Sequence, residues 1–335
     1  MKSTIFETNL LPHKHLLLKI SDDEAENIYL GSPFYGAPNF SEIKTKVNTL
    51  LILDLNILSD LRNKKNQKNI RSLLAWAAEH NAEITPLVAL SEQQRTHGSP
   101  RYAYDEYLDA LKAEYGWSIS KKEIEKNYLA IEKISPNIEI NTALWRDYLL
   151  LIKKFYHSKA GFKRKVDEFI GYLLNNNLPI FTLGLYAGCS YFHMKANPSL
   201  YDEGLVSKVQ SDMDIHGKDH EKRLMNVASD MALIQSSAEL FYVRQTQEFN
   251  VAFIASKDVT IPHILTELCW AEVLVNAAGN FGRMGFRPES KSGKEIFKIL
   301  SPHLESINIR SQDDNSVAAR KINLKVIANE IFSQL

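Results

Sequence analysis

The sequence predicts an α/β protein whose central sheet is parallel. Two apolar runs, each closed by a carboxylate, carry this prediction: Thr49-Leu50-Leu51-Ile52-Leu53-Asp54, and Asn250-Val251-Ala252-Phe253-Ile254-Ala255 followed by Ser256-Lys257-Asp258. Neither alternates apolar with polar residues, which is the pattern of a strand covered on both faces. A third observation is the scarcity of turn formers. Only 14 glycines and 11 prolines occur in 335 residues, too few for a turn-rich β architecture, so helices fill the rest.

Taken in order, residues 1–45 form an N-terminal extension of mixed character, with a short strand in His15-Leu16-Leu17-Leu18-Lys19-Ile20 and a loop from Gly31 to Pro38. Residues 46–99 are the first part of the core. After the first buried strand, Ser59 is placed to cap a helix running to about His80, with Ile70, Leu73, Leu74, Trp76 and Ala77 at helical spacing. Thr85-Pro86 reads as an N-cap followed by proline at the first helical position. Residues 100–211 read as a helical insertion, their aromatic residues packing helix on helix. Residues 212–290 are the second part of the core: a long helix from Glu221 to Gln247, the second buried strand, a helix over 262–277, and a glycine-rich loop from Gly279 to Gly285. Residues 291–335 form a C-terminal tail, helical with some strand at Ile307-Asn308-Ile309.

Composition excludes several classes. Lys+Arg 40 against Asp+Glu 40 leaves no net charge, which argues against coating nucleic acid by bulk attraction. Cys189 and Cys269 are too few for a disulfide framework or a thiolate zinc site, and they fit a reducing, cytoplasmic setting. No signal-peptide apolar region follows Met1-Lys2. Phe169 to Met194 contains no Asp, Glu, Lys or Arg and is long enough to span a bilayer, but Asn175, Asn176, Asn177 and Pro179 interrupt it. It reads as the end of one helix, a turn and a second buried element.

The chemistry lies in carboxylates at apolar boundaries. Asp54 and Asp258 end the two buried strands, where open parallel sheets place their sites. Asn56 shares the side of Asp54 by strand parity. Asp230 lies beside the helical stripe Val227, Met231, Ile234, and Glu92 follows the apolar run Leu87-Val88-Ala89-Leu90. Acids gathered on one rim repel one another, and a hard divalent cation, Mg²⁺ or Mn²⁺, relieves the repulsion. Such an ion can activate water against a phosphodiester.

The ordered set of Asp54-Leu55-Asn56, Glu92, Asp230 in Ala228-Ser229-Asp230-Met231-Ala232, and Ser256-Lys257-Asp258 resembles the PIN-domain nucleases. The resemblance covers about 48–98 and 220–262. It implies a PIN-like central parallel sheet flanked by helices with a large helical insertion. It also implies a metal-dependent ribonuclease acting on single-stranded RNA. By the same analogy Asp54, Glu92, Asp230 and Asp258 hold the metals and act in catalysis, while Asn56 and Ser256 orient ligands. The long insertion suggests a regulated effector, a toxin or defence nuclease, and leaves room for an inhibitory protein partner or an oligomer. Asp212, Asp214 and Asp219, just before the third motif, read as a solvated loop, with an extra metal ligand as the alternative.

Two basic runs offer phosphate contacts. Arg62, Lys64, Lys65, Lys68 and Arg71 follow the first strand, and Lys153, Lys154, Lys159, Lys163, Arg164 and Lys165 form the denser cluster. Arg62, Lys64, Lys65, Lys163, Arg164 and Lys165 are the expected substrate-binding residues. Two rival readings are a haloacid-dehalogenase-type phosphatase, which requires a second Asp where Asn56 stands, and a non-catalytic PIN-like scaffold.

Overall fold

A computed structural model describes residues 4–7, 18–20, 27–33, 46–97, 100–214, 219–243, 248–276, 279–287, 290–311 and 316–334. Most of the loop expected from Gly31 to Pro38 lies outside them. In chain order the elements are β1 (Thr4–Glu7), β2 (Leu18–Ile20), β3 (Ile28–Gly31), β4 (Lys46–Leu53), α1 (Leu55–Arg62), α2 (Gln67–Glu79), β5 (Glu83–Thr85) and α3 (Leu87–His97). There follow α4 (Pro100–Tyr115), α5 (Lys121–Tyr156), α6 (Phe162–Asn175), α7 (Thr182–Ala196), α8 (Glu203–Met213) and α9 (His220–Ser236). The chain then runs through β6 (Tyr242–Val243), β7 (Glu248–Ser256), α10 (Thr260–Glu267), β8 (Leu268–Asn276), β9 (Gly279–Phe286), α11 (Lys291–Leu300), α12 (Leu304–Ser311) and α13 (Val317–Gln334). The fold is α/β and mostly helical, with a small mixed sheet.

The chain divides into two compact units, residues 1–141 with 232–284, and residues 142–231 with 285–335. The first unit holds the sheet. Its strand order is β2-β3-β7-β4-β5, with β6 beside the start of β7. β4 pairs in parallel with β7 from Lys46↔Glu248 to Leu53↔Ala255, and with β5 from Leu50↔Glu83 to Ile52↔Thr85. Leu50, Leu51, Ile52 and Leu53 are all buried, as are Ile254, Ala255 and Ser256 on β7. The absence of alternation therefore reported burial on both faces for the end of β4 and of β7, while Val251 and Phe253 earlier in β7 are half-buried. On the other edge of β7 the sheet turns antiparallel, with Tyr29↔Ser256 in register. The sheet is thus mixed rather than parallel throughout. A second, three-stranded sheet, β1-β8-β9, also forms.

Several local expectations are corrected. The helix after β4 starts at Leu55, because Asp54 rather than Ser59 caps it. It does not run to His80: Lys64 and Asn66 adopt left-handed backbone, which breaks it into α1 and α2. The helix expected over 262–277 ends at Glu267, and the Val- and Trp-bearing stretch Leu268–Asn276 is strand β8. The expected loop from Gly279 to Gly285 lies in strand β9, next to β8. The long helix from Glu221 stops at Ser236, and Ile307-Asn308-Ile309 lies in helix α12.

The boundary expected at 100–211 also moves. Tyr104, Tyr107 and Leu111 of α4 and Ile131 of α5 join Leu51, Leu53, Ile57, Leu73 and Ala255 in one apolar cluster. The start of the supposed insertion therefore belongs to the sheet's own core. A buried polar seam fixes α3 to α5, where Ser91 Oγ lies 2.8 Å from Ser135 Oγ.

The second unit is helical. Every residue of α7 from Leu183 to Met194 is buried, so the uncharged stretch is the end of α6, a turn and a core helix, as expected. Gly184 meets the Phe181 and Tyr148 rings closely, and Gly188 meets Phe169. Cys189 and Cys269 are both buried free thiols. Among the described residues no helix is long and apolar enough to cross a membrane.

Candidate active site

The parallel register of β4 and β7 brings the two strand-end motifs together. Leu53 faces Ala255, so the next residues, Asp54 and Ser256, become neighbours across 202 positions of sequence. Asp54 N donates to Ala255 O at 3.0 Å and continues the ladder by one bond. The Asp54 side chain then turns back to the helix it starts, and Oδ1 accepts from Leu55 N at 2.6 Å.

Three side chains interlock there, and the backbone of Asp258 joins them. Asp54 Oδ2 accepts from Ser256 Oγ and from Asn56 Nδ2, both at 2.5 Å. Asn56 Nδ2 also donates to Ser256 Oγ at 3.2 Å, and Asn56 Oδ1 accepts from Lys257 N at 3.1 Å. Ser256 Oγ accepts from Asp258 N at 3.0 Å. Asp258 Oδ1 accepts from Thr260 N at 2.8 Å and from Thr260 Oγ1 at 2.6 Å, at the start of α10. Asn56 touches Asp54 as expected, but it does so from the first turn of α1, where strand parity does not apply.

Asp54 is 5% exposed. Burial pushes its carboxyl up to about 6, and the negative charge of Asp258 adds to the rise. The hydrogen bonds from Ser256, Leu55 and Asn56 pull the other way without offsetting it. The carboxylate is oriented on three donors and short of positive charge.

Beside this network opens a cleft of ≈ 550 Å³, lined by Asn27, Tyr29, Asn56, Lys257, Asp258 and Val259. Asn27 and Tyr29 come from the N-terminal extension, because β3 pairs with the end of β7. Lys257 Nζ lies 2.9 Å from Asp60 Oδ2, an acid of α1. Sequence reasoning assigned Asn27, Tyr29, Lys257 and Asp60 no role. The only signal was the position of Lys257 inside Ser256-Lys257-Asp258.

Glu92 is half-buried on α3, and Asp230 is half-buried on α9, within the second unit. Among the described residues no group of three or more Asp, Glu, His or Cys side chains is placed to hold a metal ion. The four-acid set is therefore not gathered as one cluster. What remains is the pair Asp54 and Asp258, with the Asn56 amide beside them. Carboxylate and amide oxygens are the donor type that Mg²⁺ and Mn²⁺ take, and Mg²⁺ can bind through one or two carboxylates while keeping several waters.

The expected substrate contacts divide. Arg62 pairs with Glu106, and Lys64 Nζ with Glu114 Oε1 at 2.5 Å. Both bases line a separate pocket of ≈ 340 Å³ with Glu106, Asp109 and Glu114. Lys65 is exposed. Lys163 and Arg164 are exposed, and Arg164 pairs with Glu168 on its own helix. Lys165 is buried and donates to Tyr156 O at 2.8 Å, and Lys153 is buried and donates to Asp214 O at 3.1 Å. The run from 153 to 165 is therefore not a continuous basic surface. Asp212 pairs with Lys208 at the end of α8, and Asp214 caps that helix. No family model matches the chain, and neither a curated protein nor a solved structure is similar to it.

Proposed function

We propose that the chain is a Mg²⁺- or Mn²⁺-dependent ribonuclease that hydrolyses single-stranded RNA at the end of β4 and β7. The observation that carries this reading is the interlocked set Asp54, Asn56, Ser256 and Asp258 at the carboxyl ends of two parallel strands. The order β5-β4-β7 and the motifs on it are the support for a PIN-like arrangement.

A bound divalent ion supplies Lewis acidity toward the phosphodiester. The chain's residues do the rest. Ser256 and Asn56 fix the Asp54 carboxylate in one orientation, so it meets a substrate complex without reorganising. Asn56 is itself held by the Lys257 backbone, which ties the two motifs into one unit. Tyr29 lines the cleft and brings an aromatic ring on which an unpaired base could stack, a reason to favour single strands. Asn56 cannot exchange protons as a second aspartate would, which weighs against a phosphatase of the haloacid-dehalogenase type.

One observation favours a scaffold instead: among the described residues no three Asp, Glu, His or Cys side chains gather to hold a metal ion. Single-turnover assays on labelled RNA separate the two readings. The nuclease cleaves with Mg²⁺ or Mn²⁺, stops in excess EDTA, and loses cleavage in Asp54→Asn. The scaffold cleaves with no divalent ion.

A further inference from the structure

A phosphodiester brings negative charge into a cleft that is lined by Asp258, whose charge is close enough to the buried Asp54 to raise its pKa. One divalent ion offsets Asp54 and Asp258 and leaves the phosphate's own charge unanswered. Lys257 lines the same cleft as Asp258. Its backbone is pinned to Asn56, and its ammonium is tethered to Asp60 at 2.9 Å. The Asp60 side chain is 6% exposed and that of Lys257 is 20% exposed, so the lysine is the partner that reaches solvent. Asp60 sits on α1, the helix capped by Asp54, so cation and carboxylate are fixed by the same short element.

Resting on the reading of this cleft as a phosphodiester site, we infer that Lys257 is a phosphate-binding residue. Its ammonium receives a non-bridging oxygen of the substrate, and Asp60 holds it in place. An ammonium carries three N–H donors, so it can keep Asp60 while meeting a phosphate oxygen. Arg62 and Lys64 do not serve this purpose. Their pocket holds three acids against two bases and repels a polyanion.

The test is equilibrium binding of a short fluorescein-labelled single-stranded RNA to the full chain without metal, read by anisotropy over a salt series. Lys257→Met is expected to weaken binding and to lower the slope of log K against log salt by about 0.7, one phosphate contact on a single strand. Lys257→Arg keeps the slope. Removing the lysine leaves the Asp60 carboxylate buried without its cation, which destabilises. The pair Lys257→Met with Asp60→Asn is therefore measured as well, and it must show the same loss while melting as the wild type does. Wild-type affinity and slope in either methionine variant, equal losses in Lys257→Arg and Lys257→Met, or no binding by the wild-type chain overturns the inference. RNA binding that depends on Lys257 without metal-dependent cleavage removes the nuclease reading alone. Cleavage with an unchanged slope in Lys257→Met removes the lysine's role alone.

Discussion

Asp54 joins the end of a strand to the start of a helix, and its environment gives a testable pH signature. Its carboxyl is raised to about 6 by burial and by Asp258, against 3.8 in the unfolded chain. The native state thus binds this proton more tightly than the unfolded state does. Its share of stability is greatest below the unfolded value and is lost as pH rises to about 6. The loss amounts to about 3 kcal/mol. Asp54→Asn has no such proton. Measured in EDTA by urea unfolding, its stability relative to wild type should rise by about that amount between pH 3.5 and pH 7.5, on the order set by linkage. Parallel pH profiles of the two proteins would show that the carboxyl is not raised. Lys153 gives the opposite case. Burial lowers its ammonium to about 8, so its cost is present below that pH and is relieved as pH rises toward 10.5. Lys153→Met is expected to be at least as stable as wild type at pH 7 and to lose that rise; thermal melts at pH 7 and pH 9.5 check both. The sequence counted Lys153 and Lys165 as one surface, because a charge run ignores helical phase. The buried Leu149 and Tyr156 lie four residues before Lys153 and three after it, and that spacing marks the inward face.

Elements differed in how much of them the sequence disclosed. β4 and β7 were legible because a strand covered on both sides has to be apolar without alternation. β5 and β3 were not, since strands of three and four residues carry no period to read. Glu92 and Asp230 looked locally like Asp54, each an acid at an apolar boundary. Membership of a site is a tertiary property that the boundary does not encode. Tyr29 illustrates the converse, because it reaches the cleft only through the antiparallel pairing of β3 with β7. Tyr29→Ala is expected to weaken binding of single-stranded RNA by roughly 1–3 kcal/mol, the usual loss of one base–aromatic stack, and Tyr29→Phe to keep it. Titration of labelled RNA against both variants decides this. In the second unit, α7 has room only for glycine where it crosses aromatic rings. A Cβ at Gly184 would stand 2.8 Å from Phe181 and Tyr148, whereas one at Gly171 of α6 would meet nothing within 4 Å. Gly184→Ala should therefore destabilise by about 1–3 kcal/mol. Gly171→Ala should stabilise by about 0.5–1 kcal/mol, because alanine replaces glycine inside a helix. Urea midpoints of the two variants moving in the same direction would contradict the packing of α7.

At the scale of the whole molecule, the units are not consecutive stretches of chain. The first is assembled from residues 1–141 and 232–284, so its central strand β4 waits for a partner that comes much later. A fragment ending at residue 141 lacks β7, which pairs with every residue of β4 from Lys46 to Leu53. That edge would be left open, a template for aggregation. Such a fragment is expected to be unfolded or aggregated, and a native-like circular dichroism spectrum with a cooperative melt would argue against it. The same arrangement has a consequence in time. Ser256 and Asp54, whose hydrogen bond closes the network, are 202 residues apart. At roughly 5–20 residues per second, a ribosome needs about 10–40 s to make the intervening chain. Throughout that interval the nascent polypeptide carries Asp54 without Ser256, Lys257 or Asp258. It therefore emerges beside the messenger that encodes it as an inert chain, and the proposed cleavage becomes available only once translation has passed the last strand of the site.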